Sequence, residues 1–457
     1  MEGGVSSPPM SMSAENPELN AALERLYRRH TFGIKLGLHV ELALLARLGN
    51  PQRGLVSIHV AGTNGKGSVC ALLDSILQAA GYRTGRYTSP HLIRFNERIG
   101  VNGQPITDSA LLPLVAAAEA AAAAVSAELG QEPTFFEVTT AMAFQHFREQ
   151  AVEVVLLETG MGGRLDATNV VDPLVSVITT IGLDHTQYLG DDLECIAREK
   201  CGIIKPGRPV VSGVRDEPAR TVIRRETAEQ NARLVEAWDA VSVLVKSRSL
   251  TGQKVVFESA GGMGGTLNLP LVGPHQVDNL AVALATLEVV GDLGALLVEP
   301  EAVRRGVAQV SWPGRFQVVG TDPVVILDGA HNPAAAVCLA RTLRELAPDK
   351  PVGMVCGFCG DKAVREYLHA LVGPVQRAWF VPIASERNMA PAELRTAAAG
   401  LRWEIVERDL IGALREAQAW AKSAGGVVCI TGSLFLVGEV LQLIERGEWG
   451  NQGAVKI

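Results

Sequence analysis

The order of apolar and polar stretches along the chain predicts an α/β protein. From Gly54 onward, short β-branched apolar runs alternate with Gly-rich or polar turns and amphipathic helical stretches. The clearest buried strands are residues 55–62, 152–160 and 174–182, whose continuous apolar runs are typical of parallel strands covered on both faces. A polar loop follows each run. Because ligands of open α/β sheets bind beyond the carboxyl ends of the strands, we expect the chemistry in these loops.

Two further patterns divide the chain. Residues 241–271 alternate between apolar and polar positions and contain Gly-rich turns, which predicts a small set of antiparallel hairpins appended to the main sheet. A second α/β series begins after the Pro-Gly pair in WPGRF. We therefore predict a flexible tail over 1–20, an N-terminal parallel-sheet phosphate-loop ATPase domain over 21–312, and a smaller C-terminal α/β Rossmann-like domain over 313–457.

Composition and charge narrow the class of protein. The chain has 457 residues, 47% of them hydrophobic, which is typical of a folded globular protein. Its net charge of −7, without a block of like charges, argues against sequence-independent binding to nucleic acid. The apolar stretch 110–128 is mostly Ala and contains two Glu residues, so it predicts a helix and not a membrane span. We expect a cytoplasmic, monomeric protein whose seven scattered cysteines are reduced.

The sequence IHVAGTNGKGS at 58–68 predicts a phosphate-binding loop. A strand, a Gly-rich turn and a helix in this order present backbone N–H groups and a helix N-terminus to an anion, and Lys66 would reach the outer phosphates. The spacing departs from the usual phosphate loop, because Val60 stands in place of the first Gly and Gly67 separates Lys66 from Ser68. A tight β–α turn without a ligand is the alternative.

This departure resembles the variant phosphate loop of the Mur ligase superfamily, ATP-dependent enzymes that join an amino acid to a carboxylate. Within it, the motifs of the chain are most similar to the folylpolyglutamate synthase and dihydrofolate synthase family. The motifs are YTSPHLIRFNERI (87–99), LETGMGGRLDATN (157–169), LDHTQYLG (183–190), IAREKCGIIKPG (196–207), PGRF (313–316), LDGAHNP (327–333), GDK (360–362) and TGSLFLVGEV (431–440). The resemblance implies a ligase that adds L-glutamate to the carboxylate of a folate or its polyglutamates through an acyl phosphate.

The resemblance also implies residues for ATP and for two Mg²⁺ ions. The nucleotide would be held by Gly62, Thr63, Asn64, Gly65, Lys66, Gly67 and Ser68, with Asn279 at the base, Arg315 at a phosphate, and Asp328 and His331 at the nucleoside end. The metal ligands would be Ser89, Glu158, His185 and Lys200, the last as a carbamate formed with carbon dioxide. Without the resemblance, Glu158 is equally a cap at a strand end, and the other three are packed or solvated side chains.

For the folate substrate, the resemblance implies three segments. They are Lys35, Leu36 and Gly37; Phe135 and Phe136; and Leu165, Asp166 and Ala167. The two phenylalanines suit either stacking on a flat ring or a place in the core. Family members that act on dihydropteroate commonly carry Asp-Leu-Gly where this chain has Lys35-Leu36-Gly37. The resemblance also implies a second activity, which joins glutamate to dihydropteroate to give dihydrofolate, and Lys35 puts this second activity in question.

Two other functions are consistent with the sequence. A Mur-type peptide ligase shares the phosphate loop and the HNP motif. A phosphate-loop regulatory switch would hydrolyse nucleotide slowly and change its affinity for a partner, but the second α/β domain with HNP argues against it. Release of phosphate that depends on both a folate and glutamate would separate the three.

Overall fold

The structure is a computed structural model that describes residues 16–29 and 37–450. In this part of the chain the α-helices are α1 (Pro17–Arg28), α2 (His39–Arg47), α3 (Lys66–Ala79), α4 (Asp108–Leu129), α5 (Phe135–Glu149), α6 (Thr186–Leu189), α7 (Leu193–Cys201), α8 (Ala219–Glu229), α9 (Ala237–Ala240), α10 (Pro274–Asp292), α11 (Pro300–Gln309), α12 (Pro333–Leu346), α13 (Val364–Ala370), α14 (Pro391–Ala397), α15 (Leu410–Ala424) and α16 (Leu434–Glu445).

The strands of the same residues form three sheets. They are β1 (Ser57–Ala61), β2 (Thr84–Tyr87), β3 (Ile99–Val101), β4 (Gln104–Pro105), β5 (Val154–Glu158), β6 (Val175–Ile178), β7 (Val210–Ser212), β8 (Leu234–Glu236), β9 (Val241–Ser249), β10 (Gly252–Ser259), β11 (Gly264–Leu269), β12 (Gln317–Thr321), β13 (Val324–Leu327), β14 (Val352–Cys356), β15 (Val375–Phe380), β16 (Glu404–Glu407) and β17 (Val427–Thr431).

The N-terminal sheet has the strand order β4-β3-β2-β5-β1-β6-β7-β8. The strands from β2 to β8 in this order pair in parallel, and β3 and β4 add an antiparallel edge. Strands β5, β1 and β6 are buried throughout, and α3 and α10 pack on one face of all three. On the other face, β5 shares a core with α4 and α5, while the ends of β1 and β6 share one with α7 and α8. The three buried runs predicted from the sequence are confirmed, and their carboxyl ends lie at one edge.

The predicted hairpins form a sheet of their own. Strands β9, β10 and β11 pair antiparallel in the order β11-β10-β9, separately from the main sheet. The apolar side chains Val255, Phe257, Leu267 and Leu269 join the core that contains α3 and α10. The hairpins therefore cover that core and do not extend the main sheet, which corrects the predicted attachment.

The C-terminal sheet has the order β12-β13-β17-β14-β15-β16, in which β12 is antiparallel and the other strands are parallel. The second α/β series that the sequence predicts after the Pro-Gly pair contains β13, β14, β15 and β17. Because α11 ends at Gln309 and β12 begins at Gln317, the predicted boundary lies in the segment that links the two sheets.

The N-terminal residues differ in part from the predicted tail. Most of the predicted tail lies outside the described residues, but 17–20 belong to α1, because the side chain of Asn16 caps this helix and Leu19 is buried.

Helix α4 is the one described helix that is long and apolar enough to cross a membrane by length and composition. Its face from Leu111 to Val125 packs in the protein core. All seven cysteines are free thiols.

Candidate active site

The phosphate loop connects β1 to α3. Lys66 is the first residue of α3, and Gly65 before it has the left-handed conformation (φ 88°) that favours glycine. Asn64 is fixed from the end of β6, because its N–H donates to Oγ1 of Thr180 (2.9 Å) and its carbonyl oxygen accepts from Oγ1 of Thr179 (2.7 Å). The shape of the loop thus depends on a neighbouring strand, and an anion would meet the N-terminus of α3.

Two lysines share one acceptor in this loop. Nζ of Lys66 donates to the carbonyl oxygen of Gly62 at 3.0 Å, and Nζ of Lys200 donates to the same oxygen at 2.9 Å. Burial, together with the positive charge of Lys66, lowers the pKa of Lys200 to about 7. A large fraction of Lys200 therefore carries a neutral amine at neutral pH, which is the form that reacts with carbon dioxide.

Glu158 and Ser89 meet at the carboxyl ends of β5 and β2. The N–H of Ser89 donates to Oε2 of Glu158 at 3.2 Å, and Nζ of Lys66 lies 3.9 Å from Oε1. Burial raises the pKa of Glu158, while the charge of Lys66 and the hydrogen bond from Ser89 oppose that rise. This places a buried carboxyl group and a hydroxyl group beside the phosphate loop.

These donors fit Mg²⁺ that is held in part by a nucleotide. Within residues 16–29 and 37–450, no three His, Cys, Asp or Glu side chains form a metal cage. Mg²⁺ does not require one, because it usually binds one or two protein carboxylates together with phosphate oxygens and water. The oxygens of Glu158 and Ser89 are ligands of this kind.

His185 lies in the loop after β6, with a left-handed backbone conformation (φ 52°). Burial lowers the pKa of its imidazole to about 4, and the charges of Lys362, Lys66 and Lys200 act in the same direction against the opposing charge of Asp184. The ring is therefore neutral, which is the form that ligates a metal. Its role as a ligand stays a prediction, as do those of the other three residues.

Asp184, next to His185, receives contacts from the C-terminal domain. Nζ of Lys362 donates to its Oδ1 at 2.7 Å, and Nε2 of His331 lies 3.6 Å from its Oδ2. Burial alone would raise the pKa of Asp184, but the contact with His331 and the charge of Lys362 outweigh burial and hold that pKa well below its usual range. Asp184 is thus an anion that attracts two side chains of the other domain.

Asn332 connects the same domain to the phosphate loop. Its Nδ2 donates to Oδ1 of Asn64 at 2.9 Å, and Nδ2 of Asn64 donates in return to Oδ1 of Asn332 at 3.2 Å. The same side chain caps α12 through the N–H of Ala335. The HNP motif therefore acts both as a helix cap and as a contact between the domains.

The predicted nucleoside residues lie around the loop and the interdomain segment. Asn279 in α10 faces the phosphate loop so closely that a Cβ at Gly65 would lie 2.4 Å from its Oδ1. Asp328 accepts hydrogen bonds from the N–H groups of Phe316 and Ala330, both at 2.8 Å. Arg315 is partly exposed and lies near the charges of Asp328 and Glu158. These positions are compatible with nucleotide contacts, which stay predictions.

A cavity of about 770 Å³ opens between the two domains. A ligand of drug size fits a cavity of this volume. Ser89, His185, His331 and Lys362 are among the residues that line it, so it reaches the Asp184 contacts. No residue of 62–68 lines it; Ser89 connects the cavity to the phosphate loop through Glu158, whose Oε1 lies 3.9 Å from Nζ of Lys66.

Six of the eight predicted folate residues line this cavity. They are Gly37, Phe135, Phe136, Leu165, Asp166 and Ala167; Lys35 and Leu36 lie outside the described residues. Phe135 is also part of the core and stacks on Tyr27 with ring centroids 5.1 Å apart. Phe136 packs against Gly160, where a Cβ would lie 2.5 Å from its ring. Each ring therefore packs against the protein and also borders the cavity, and stacking on a flat ring of the substrate stays a prediction.

Arg98, Asp184 and Lys362 are not among the site residues predicted from the sequence. Arg98 lines the cavity, its guanidinium lies 5.1 Å from the centre of the Phe135 ring, and its Nε donates to Nδ1 of His91 at 2.9 Å. Asp184 and Lys362 lie within the LDH and GDK motifs, but 178 residues separate them. Their charges in loops were the available signal, and only the tertiary structure pairs them.

Comparison with protein families gives two matches that together span most of the chain. Residues 60–287 match the Mur ligase middle domain, and residues 314–434 match the domain described as Mur ligase, glutamate ligase domain. The first contains the phosphate loop, and the second begins in the linker that precedes β12.

Curated relatives match at similar levels over nearly the whole chain. The dihydrofolate synthase/folylpolyglutamate synthase of Bacillus subtilis is 36% identical, and the alignment covers 91% of this chain and 96% of the relative. The folylpolyglutamate synthase of Lacticaseibacillus casei is 34% identical, with coverage of 89% and 94%.

Solved structures share the fold. Escherichia coli FolC in complex with DHPP and ADP superposes with a TM-score of 0.83 and 35% identity, covering 96% of this chain and all of that one. The Mycobacterium tuberculosis folylpolyglutamate synthase complexed with ADP gives a TM-score of 0.85 and 34% identity, with coverage of 93% and 98%.

Proposed function

The chain belongs to the folylpolyglutamate synthase and dihydrofolate synthase family of Mur ligases, and we propose that it uses ATP to join L-glutamate to the carboxylate of a folate or its polyglutamates. The observation that carries the proposal is an interdomain cavity lined by predicted folate residues and by Ser89, whose partner Glu158 lies beside Lys66 of the phosphate loop. The relatives named for this activity align over about nine tenths of the chain, which favours the folate reaction over a cell-wall peptide ligase or a regulatory switch.

The reaction proceeds in two transfers. The terminal carboxylate of the folate attacks the γ-phosphorus of ATP, which gives an acyl phosphate and ADP. The neutral amino group of L-glutamate then attacks the acyl carbon, a proton leaves the nitrogen, and inorganic phosphate departs as the amide forms. Lys66 would offset the charge on the transferred phosphoryl group, and the remaining residues position the two carboxyl-bearing substrates.

Four side chains would hold the two Mg²⁺ ions that the resemblance implies. Glu158 and Ser89 would bind one ion, and His185 and carbamylated Lys200 would bind the second. Bound Mg²⁺ supplies positive charge that neutralises phosphate oxygens. Lys200 as a free ammonium would repel a cation, so carbamylation reverses the sign of its contribution.

The contacts of Asp184 and the hydrogen bonds between Asn332 and Asn64 join the C-terminal domain to the loop after β6 and to the phosphate loop. Lys362 and His331 approach Asp184 from that domain and also line the cavity. Closure of this kind excludes water from an acyl phosphate, which would otherwise be hydrolysed. A cytoplasmic location and a monomeric state complete the proposal.

Release of phosphate by the purified protein tests the function directly. We expect ADP and phosphate to form only when MgATP, a reduced folate and L-glutamate are all present, with a glutamylated folate as the product in mass spectrometry. Omission of either the folate or glutamate is the control. Turnover with a cell-wall precursor in place of the folate would favour the peptide ligase, and release of phosphate from ATP alone would favour the switch.

Use of dihydropteroate is a separate question, because several relatives carry both enzyme names and this chain has Lys35 in place of the usual Asp. We expect weaker activity on dihydropteroate than on a reduced folate, and a gain on dihydropteroate in Lys35→Asp. Equal use of both substrates by the wild type would show that Lys35 does not restrict the reaction.

A further inference from the structure

His59 is a buried residue that the proposed chemistry does not use. It lies in the middle of β1, the strand that leads into the phosphate loop, and it is completely buried. Its Nε2 lies 2.8 Å from Oγ1 of Thr168, which is also completely buried. Oγ1 of Thr168 in turn lies 2.5 Å from Oδ1 of Asp166, a residue that lines the cavity. Three side chains thus form one chain of hydrogen bonds.

The direction of each hydrogen bond follows from the donors available. The carboxylate of Asp166 also accepts from the N–H groups of Thr168 (3.0 Å) and Met161 (2.9 Å), so it acts as an acceptor throughout. The single hydroxyl proton of Thr168 therefore points to Asp166, and its oxygen accepts from His59. His59 must carry its proton on Nε2. Burial lowers the pKa of His59 to about 3, with a smaller effect from Lys205, so the ring is neutral and has only this proton to donate.

The chain of hydrogen bonds ends at the wall of the cavity. Through its bonds to Met161 and Thr168, the carboxylate of Asp166 joins both ends of the loop that contains Leu165. Met161, Leu165 and Ala167 all line the cavity. An Asp166 side chain that rotated away would release this loop, because two backbone N–H groups would lose their acceptor.

We propose that His59 is a positioning residue for the folate substrate, which it influences by holding Asp166, through Thr168, in the conformation that shapes the cavity wall. The inference rests on the proposed function only in naming the substrate of this cavity. His59 itself does not line the cavity, so its effect must pass through the other two side chains.

Two variants of similar shape test whether the Nε2–H group of His59 is needed as a hydrogen-bond donor. His59→Met removes the N–H and should raise the KM for the reduced folate roughly tenfold, the loss expected for one buried hydrogen bond and its misplaced acceptor. The KM for ATP should stay within about twofold, since the phosphate loop is fixed by other contacts. His59→Gln places an amide N–H near the same point and should restore most of the folate affinity. Ser57→Ala, in the same buried strand but outside the hydrogen-bond chain, is the matched control.

Thr168 gives a second test that does not depend on how well the His59 variants fold. Thr168→Val should raise the KM for folate as His59→Met does, and Thr168→Ser should not. The double variant His59→Met/Thr168→Val should have a KM for folate no higher than that of Thr168→Val alone. The proposal is overturned if His59→Met and His59→Gln have the same KM for the reduced folate, or if the KM for ATP rises together with the KM for folate. It is also overturned if Thr168→Val leaves the KM for folate unchanged. Absence of folate-dependent turnover in the wild type would instead reject the proposed function.

Discussion

Lys66 lies between the phosphate loop and the carboxyl group of Glu158, with Nζ 3.0 Å from the carbonyl oxygen of Gly62 and 3.9 Å from Oε1 of Glu158. Lys66→Ala should lower kcat for ligation by a factor of about 10² to 10³ or more, because a preorganised positive charge acts on the transferred phosphoryl group in a site largely shielded from water. Formation of ADP is the measurement, and Lys254→Ala, at an exposed position of β10, is the control. Activity within about tenfold of the wild type would contradict the assignment of the phosphate loop.

Lys200 is a second residue whose surroundings set its chemistry. With a pKa lowered to about 7, its neutral fraction rises as the pH passes through that value, and only the neutral amine forms a carbamate. Activation by carbon dioxide should therefore be weak at about pH 6 and strong at about pH 8. Activity is measured after removal of carbon dioxide and again after its return.

Substitution of Lys200 gives an independent check. Lys200→Ala should be almost inactive, and acetate should restore part of the activity by placing a carboxylate at the vacated position. Lys205→Ala serves as the control, because Lys205 is a neighbouring lysine whose pKa burial also lowers and whose loss acetate should not repair. Full activity of the wild type without carbon dioxide, together with no effect of acetate, would exclude the carbamate.

The start of α3 shows how one element constrains another. Gly67, the residue that departs from the usual phosphate-loop spacing, packs under the indole of Trp312 in the segment before β12. The guanidinium of Arg86 lies 5.0 Å from the centre of that indole and pairs at 2.8 Å with Asp74 of α3. The linker between the domains is thereby packed against the phosphate loop, which supplies a reason for glycine at this position.

Gly67→Ala should raise the KM for ATP about tenfold, because its Cβ would lie 2.6 Å from Cζ2 of Trp312 and either the loop or the indole must move. Gly67→Ala combined with Trp312→Leu should recover part of the loss. Gly291→Ala, in α10 where the nearest atom is 3.9 Å away, is the control. An unchanged KM for ATP in the single variant would show that this packing does not support the phosphate loop.

The ion pair of Asp184 and Lys362 joins the two domains. The side chains of both residues are about one tenth exposed. Lys362→Met leaves the anion of Asp184 with fewer partners and should favour open arrangements of the domains, since a largely buried charge without its partner is costly. We expect a larger radius of gyration in small-angle X-ray scattering and a fall in kcat of at least about tenfold. Lys422→Met removes an exposed lysine of the same domain and should change neither quantity. A compact Lys362→Met variant would exclude the closing role.

Features that depend on neighbouring residues could be predicted from the amino-acid sequence. Continuous apolar runs identified β1, β5 and β6, because a strand buried on both faces must be apolar throughout. The turn and helix after β1 identified the phosphate loop, since Gly65 supplies the left-handed conformation and α3 begins at Lys66. The ends and attachments of elements were predicted less well. Residues 17–20 belong to α1 although the predicted tail included them, and the hairpins form a sheet separate from the main sheet.

Contacts between side chains that are far apart in the chain depend on the three-dimensional fold and could not be predicted. Asp184 and Lys362 are 178 residues apart, and His59 and Thr168 are 109 residues apart. Each residue alone is an ordinary polar side chain near a strand, and no periodicity of the sequence records its partner. The partners are set by the order β5-β1-β6 in one sheet and by the placement of the second domain against it. That arrangement depends on the burial of apolar surface over the whole chain. Because this driving force is non-directional, an apolar run identifies a buried strand but not the strand or domain that lies beside it.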